Sequence, residues 1–439
     1  PIQPVFLDYK KDLNFGKLAI ADVITVENKD NSLFTLSYRF NMGTENYKLL
    51  PYAAQYLNFL GTDKYTAEEI SKDFYNIACS YSMNVGTDVV TISISGLQEN
   101  FEKAVALVEH LFKNAKPNEN ALAELKSTIF KGRENVKFNK SAILGGLTAY
   151  AQYGASNPFN NVLSNEEVSK ITSKELMYIL HNIHNYAHTI TYYGPQTLPV
   201  FTALLQKLHQ LPSDFTPAAP PVKYSYTNQL TNQVLFADYD MVQSDIRWIR
   251  NAGKFDATKM GTIDLFNTYF GGGMGAIVFQ TLRESKALAY STSAFYATPD
   301  RADKESTVVA YIGSQADKMN EAVKGMNELL NALPQLDKSF EGAKSNSLNA
   351  IETSRITKNG IIGSYFSDQK LGFNQDSRIE LYKSLKPLTF EDIKQFHTTH
   401  IANKPYTYCI VASEKKVKME DMEKFGPVKK LTLEQIFGY

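Results

Sequence analysis

Two stretches of this sequence follow one order of predicted elements and meet at a proline-rich break. The break runs from Leu211 to Pro221 and contains Pro212, Pro217, Pro220 and Pro221. Proline fixes φ and has no N–H, so this segment suits neither a helix interior nor a central strand. Before the break, Ser32–Phe40 reads as a strand, Tyr47–Leu60 as a helix ending at Gly61, and Ala67–Asn76 as a second helix. Strands follow near Cys79–Asn84 and Val89–Ser95. A long helix after Gly96 carries Phe101, Val105, Val108 and Phe112 at spacings of 3 and 4. Another helix opens at Pro117, a residue favoured in a first turn. Two more helices, the strand Thr189–Tyr193 and a helix from Pro199 complete the stretch.

After the break the order returns. Strands fit Asn232–Tyr239 and Ile246–Ile249, a helix ends at Gly271, and a second runs to Ala287. Strands fit Tyr290–Phe295 and Ser306–Ile312, a long helix follows Gly313, and another follows Pro334. Phe390–His400 reads as a helix leading into the strand Tyr406–Val411. The landmarks keep register: Gly96 and Gly313, Pro117 and Pro334, and Ile171 and Leu388 all lie 217 residues apart. Gly61 and Gly271 lie 210 apart, so the second copy gains about seven residues between these points, as a longer hairpin would supply. Hairpin-spaced strands followed by helical runs predict an α+β chain of two homologous domains. Each is a mainly antiparallel sheet with helices packed on one face. The expected division is 1–211 for the first domain, 212–224 for the linker and 225–439 for the second.

Composition narrows the function classes. The chain has 46 basic and 46 acidic side chains, so it shows no overall footprint for nucleic acid or an anionic membrane. At 43% apolar residues it can build sizeable cores, yet no apolar run approaches the ~18 residues that span a bilayer. Cys79 and Cys409 support neither a disulfide framework nor a zinc knuckle, and are expected to be buried in strands. The chain opens at Pro1, with no initiator Met and no signal-peptide core. A processed chain or a fragment is expected.

The segment Tyr269-Phe-Gly-Gly-Gly-Met-Gly-Ala-Ile-Val-Phe-Gln-Thr-Leu-Arg-Glu-Ser-Lys-Ala-Leu-Ala-Tyr-Ser291 resembles the pitrilysin/insulinase/mitochondrial processing peptidase family. So do Tyr150–Phe159, Leu163–Val168 and the tail Phe425–Phe437. The resemblance covers essentially the whole chain and implies the LuxS/processing-peptidase-like metallopeptidase fold. It also implies a zinc endopeptidase built from two halves of two domains each, closed around a chamber. In that family zinc sits on an inverted H-x-x-E-H motif in the N-terminal half. No H-x-x-E-H occurs here. Counting back from Gly61-Thr62 puts Tyr52, Gln55 and Tyr56 at the motif positions. A phenol with pKa near ~10 is a poor zinc ligand, and Gln55 cannot serve as general base. Glu124 or Glu134 falls in the region of the third ligand, but a carboxylate alone does not hold zinc.

The resemblance is therefore to the C-terminal, metal-free half, and the chain alone is expected not to cleave peptides or bind a cofactor. Zinc is expected on an N-terminal H-x-x-E-H half, in the same polypeptide or on another subunit, with a peptide as substrate. The resemblance further implies that Tyr290 hydrogen-bonds the oxyanion and that Arg283, seven residues earlier, fixes that tyrosine or the substrate carbonyl. The bland alternative pairs Arg283 with Glu284 and leaves Tyr290 an ordinary strand aromatic. A non-catalytic peptide-binding or scaffold subunit is the competing reading of the whole chain.

Three further features read as structural. Gly271–Gly275 lacks the Lys-Ser/Thr of a phosphate loop and is expected to be a tight turn between helices. His181, His184 and His188, and likewise His397 and His400, have ligand-like spacings. They are expected to be solvent-facing helix-end residues, since no carboxylate lies in register. The mixed run Glu414–Lys418 reads as a solvated turn. With 26 Tyr and 26 Phe, most aromatics must be core, leaving some to line a chamber wall.

Overall fold

A computed structural model describes residues 2–439. It contains two six-stranded sheets of matching order. The first is built from β1 (Asn14–Leu18), β2 (Ala21–Glu27), β3 (Leu33–Phe40), β4 (Cys79–Val85), β5 (Val90–Leu97) and β6 (His188–Gly194), in the order β1-β2-β6-β3-β5-β4. The second uses β7 (Gln233–Asp238), β8 (Gln243–Lys254), β9 (Ser291–Ala297), β10 (Glu305–Gln315), β11 (Thr407–Ala412) and β12 (Val428–Lys430), in the order β12-β7-β11-β8-β10-β9. Antiparallel pairs dominate. The parallel pairs are β2 with β6, β7 with β11, and β7 with the edge strand β12. That edge is where the copies differ, because its counterpart β1 pairs antiparallel with β2. The fold class is the α+β repeat expected.

Strand periodicity sets the main cores. Along β3, the residues Phe34, Leu36, Tyr38 and Phe40 point to one face and are almost fully buried. The helix Phe101–Asn114 lays its predicted stripe of Phe101, Val105, Val108 and Phe112 in the same core. Burying one such side chain contributes at most about 1.5–3 kcal/mol. In the second sheet Ile246 and Trp248 of β8 play the equivalent part under the helix Met319–Asn331. Three strands were missing from the sequence expectations: β1 and β2, which precede Ser32, and the short edge strand β12 in the tail. Four consecutive residues of β2, Val23–Val26, are buried, so the strand lacks the inside–outside alternation that marks a half-exposed one. The extra residues of the second copy fall mostly where expected. Cys79 pairs with Gly96 and Ser291 with Gly313, separations of 17 and 22, so this hairpin accounts for five of the seven.

The second face of each sheet is partly covered by a helix from the other half. Helix Lys140–Tyr153 places Ile143, Leu144 and Leu147 against Leu235, Ile249, Cys409 and Val411 of the second sheet. Reciprocally, Ile362 of helix Gly360–Lys370 packs on Ile24, Val26 and Tyr193 of the first, together with Leu7 and Tyr9. The last residues of these helices, Tyr153 and Lys370, lie 217 apart, so they are the same helix of the repeat. Polar contacts follow the exchange. Arg301 reaches Glu45 at 3.2 Å and Asp88 at 3.4 Å, and Lys370 reaches Asp88 at 2.8 Å. Among the described residues, no helix is long and apolar enough to cross a membrane.

Candidate functional site

The degenerate motif lies on helix Leu50–Leu57, whose Pro51 sits in the first turn, where no N–H is needed. Tyr52 and Tyr56 face inward and are buried, while Gln55 points to solvent. Tyr56 donates its hydroxyl to the Asn118 carbonyl at 3.0 Å and accepts from the Asn118 N–H at 2.8 Å. It thereby ties the motif helix to the start of helix Glu119–Val136. The Tyr52 hydroxyl accepts a hydrogen bond from Nη2 of Arg133 at 3.1 Å. Arg133 is itself buried, donates to the Leu163 carbonyl and to Asn165 Oδ1, and lies 4.1 Å above the Tyr439 ring. Glu124 and Glu134 are exposed on the same helix, and Glu134 pairs with Lys137 at 3.1 Å.

This arrangement does not fit zinc. Its polar atoms are two protonated phenols and an outward amide, and a permanent cation occupies the inner side. Burial, above all, raises the phenol pKa of both Tyr52 and Tyr56, which keeps them from becoming anionic ligands. Arg133 was missed in the sequence. Its partners stand 30, 32 and 81 positions away, beyond any local pattern.

Arg283 and Tyr290 flank a turn on the second sheet. Helix Met260–Phe270 ends at Gly271, and a tight turn leads to a π-helical segment, Gln280–Ser285. A side chain at Gly271 would collide with the Ala294 backbone of β9 and one at Gly272 would crowd the Asn267 carbonyl, so close packing holds for these two glycines, whereas Gly273 and Gly275 face open space. Arg283 is half-exposed; its Nε lies 3.9 Å from Glu284 and its guanidinium 4.9 Å from the centre of the Phe279 ring. Tyr290 is 38% exposed, and its hydroxyl donates a long 3.4 Å bond to the Ser314 carbonyl. Burial, and secondarily Asp245, raises its pKa and keeps it a hydrogen-bond donor at neutral pH. Its ring packs over Gly313, beside the Tyr311 hydroxyl, which donates to Asp245 at 3.0 Å. Lys140, from the exchanged helix, pairs with Asp245 at 2.9 Å.

The histidine expectation needs correction. His181 is exposed, but His188 and His397 are buried, and His184 is nearly so. The helix ends at Asn182, and a 3₁₀ turn, Ile183–Asn185, swings the chain inward, so His188 opens β6 inside the fold. His397 lies on the inner face of its helix, 3.2 Å from the Leu329 carbonyl. Cys79 and Cys409 are buried thiols, and Glu414, Lys415, Lys416 and Lys418 are exposed, both as expected. A groove of about 1090 Å³ between Tyr47, Leu49, Met177 and Tyr186 had no sequence signal.

Comparison with known proteins bears on this geometry. Residues 190–347 match the family model described as the peptidase M16 inactive domain. A curated relative from Rickettsia bellii, an uncharacterized zinc protease, is 21% identical over 344 residues, covering 72% of this chain and 79% of that protein. The peptidase M16 inactive domain from Pseudomonas fluorescens superposes with a TM-score of 0.69 at 16% identity, over 92% of this chain and 98% of that one. The periplasmic protease PqqL from Escherichia coli superposes with a TM-score of 0.70 at 13% identity, over 94% of this chain but 46% of that one. The chain thus has the fold of the inactive half of this peptidase type, and the resemblance read in its sequence holds.

Proposed function

We propose that this chain is the non-zinc-binding half of a two-half zinc metalloendopeptidase. On this reading it divides at residues 212–224 into two units and forms one wall of a peptide chamber. Its partner is an N-terminal half with H-x-x-E-H, fused or separate. The observation that carries the reading is the doubled fold in which the motif helix is filled by Tyr52, Tyr56 and Arg133 instead of ligands. Zinc on the partner half would supply the activated water. This chain's residues would bind and orient the peptide and stabilise the charge that develops on its carbonyl.

Tyr290 is the proposed donor to that oxyanion. Its phenol stays protonated at neutral pH, and its existing bond to Ser314 is long, so the hydroxyl can turn to a better acceptor at little cost. Arg283, held only loosely by Glu284 and the Phe279 ring, is free to hold the substrate carbonyl or Tyr290 itself. One such donor contributes about 3–4 kcal/mol in a water-excluded site, or roughly 100- to 1,000-fold in kcat. The experiment combines the chain with its H-x-x-E-H half and compares wild type with Tyr290→Phe on an unfolded peptide. A loss of that size in kcat with little change in KM is expected. Unchanged turnover would remove Tyr290 from the mechanism and favour the alternative, a peptide-binding or scaffold subunit, which the motif helix filled by Tyr52, Tyr56 and Arg133 supports equally.

A further inference from the structure

Three imidazoles and a carboxylate converge inside the first half, away from the degenerate motif. Glu109 comes from helix Phe101–Asn114, His184 from the turn Ile183–Asn185, His188 opens β6, and His209 follows helix Leu198–Gln206. His188 Nδ1 lies 2.7 Å from the Tyr186 carbonyl, His188 Nε2 lies 3.0 Å from His209 Nε2, and His209 Nδ1 lies 2.7 Å from Glu109 Oε1. This chain of contacts has an acceptor at each end. Three hydrogens are needed to fill its three contacts, but two neutral imidazoles carry only two. One more cation, a proton or a metal ion, is therefore required along this chain.

His184 decides which cation fits best. Its Nδ1 stands 3.5 Å from Glu109 Oε2, too far for a good hydrogen bond, and its Nε2 is buried with no partner. A proton shared by Glu109 and His209 would leave this ring without a bond. We propose that Glu109, His184 and His209 form a binding site for one divalent cation of the zinc class. The three ligand atoms lie within 4.8 Å of one another. Two imidazoles and a carboxylate make a common zinc set with a fourth position open. The cation replaces the third hydrogen: the His209 Nδ1 lone pair turns to the metal, while its Nε2–H donates to His188, whose own N–H is held by the Tyr186 carbonyl. That is the outer-shell arrangement that fixes a ligating histidine. Tyr38 adds to it, donating to Glu109 Oε1 at 2.8 Å and stacking on His209 at 4.2 Å between ring centres. Glu109 and His184 keep 16% and 14% side-chain exposure, while His209 is fully covered.

The site would tie the central helix, the turn before β6 and the segment entering the linker into one unit. It is independent of the peptidase reading, and it revises the expectation that this chain binds no metal of its own. The test is titration of chelator-treated protein with Co²⁺ and Zn²⁺, reading stoichiometry, visible ligand-field bands and Tm. Wild type is expected to take one Co²⁺ per chain with the intense bands of a low-coordinate ion, and to melt higher with Zn²⁺ bound. His184→Gln leaves the His188–His209–Glu109 contacts in place and should fold, yet bind at least about tenfold more weakly; Glu109→Gln should do the same. Wild type that binds neither ion would overturn the proposal, as would equal binding by wild type and His184→Gln. Imidazole NMR showing three N–H groups on His188 and His209, unchanged by Zn²⁺, would do so too, and would identify the cation as a proton.

Discussion

The Arg133 guanidinium sits among Tyr52, Leu163 and Asn165, with the Tyr439 ring against its face. Each of these groups would lose a charged donor or a stacking partner if the side chain were removed. Arg133→Met is expected to cost about 2–4 kcal/mol, read as a lower denaturant midpoint at unchanged slope. The same residue limits what can be rebuilt. Chains carrying Tyr52→His, Gln55→Glu and Tyr56→His together should hold no more zinc than wild type by elemental analysis, because the inner side of the motif is already cationic. One further equivalent of zinc in that triple variant, over wild type, would show that the motif identities alone set the metal site. The missing ligands were legible from residue type at fixed spacing. The arginine was not, nor was the meeting of His184 with Glu109 and His209, which stand 75 and 25 positions away.

At the element scale, strong periodicity was read well. The stripe on helix Phe101–Asn114 and the helix Phe390–His400 lie where the spacing predicted them. The failures have separate causes, and one of them is that burial on two faces erases period. In β2, covered on both sides, the alternation is gone. The histidine reading failed at an element end, where a 3₁₀ turn instead of a solvated terminus redirects the chain. Gly271 tests the packing logic of such an end. Its φ of −143° is open to any residue, so the constraint is the neighbouring Ala294 backbone alone. Gly271→Ala should therefore destabilise by about 1–3 kcal/mol, the usual range for overpacking. Gly272→Ala, whose new methyl would meet backbone less closely, should cost less in parallel thermal melts.

For the whole molecule, the helix exchange makes each half part of the other's core. Both sheets should then melt in one calorimetric transition instead of two. The polar clasp adds a pH dependence. Burial pushes the Asp88 carboxyl up, but Lys370 and Arg301 outweigh it and hold its pKa below the ordinary value. At Asp376, burial is likewise outweighed by Arg378 and the Leu7 N–H. A depressed folded pKa means that the stabilisation is complete above the unfolded value near ~3.9 and is lost as pH falls through the folded one. The clasp's contribution to Tm should hold from neutral pH to about 4 and be lost below it. Asp88→Asn should be less stable at neutral pH and show a shallower acid fall. Parallel curves for the two proteins would show that the clasp carries none of the acid sensitivity.

What the sequence determined by itself was the repeat, the α+β class and the absence of the H-x-x-E-H triad. These follow from local periodicity, turn residues and side-chain identity, which need no knowledge of neighbours. Tertiary structure alone decided the rest: which half each exchanged helix serves, the arginine that fills the vacant motif, and the cluster around Glu109. Each depends on residues far apart in the chain meeting in a low-dielectric interior. There an unmatched charge or hydrogen-bonding atom is costly, so the partner that satisfies it becomes part of the architecture.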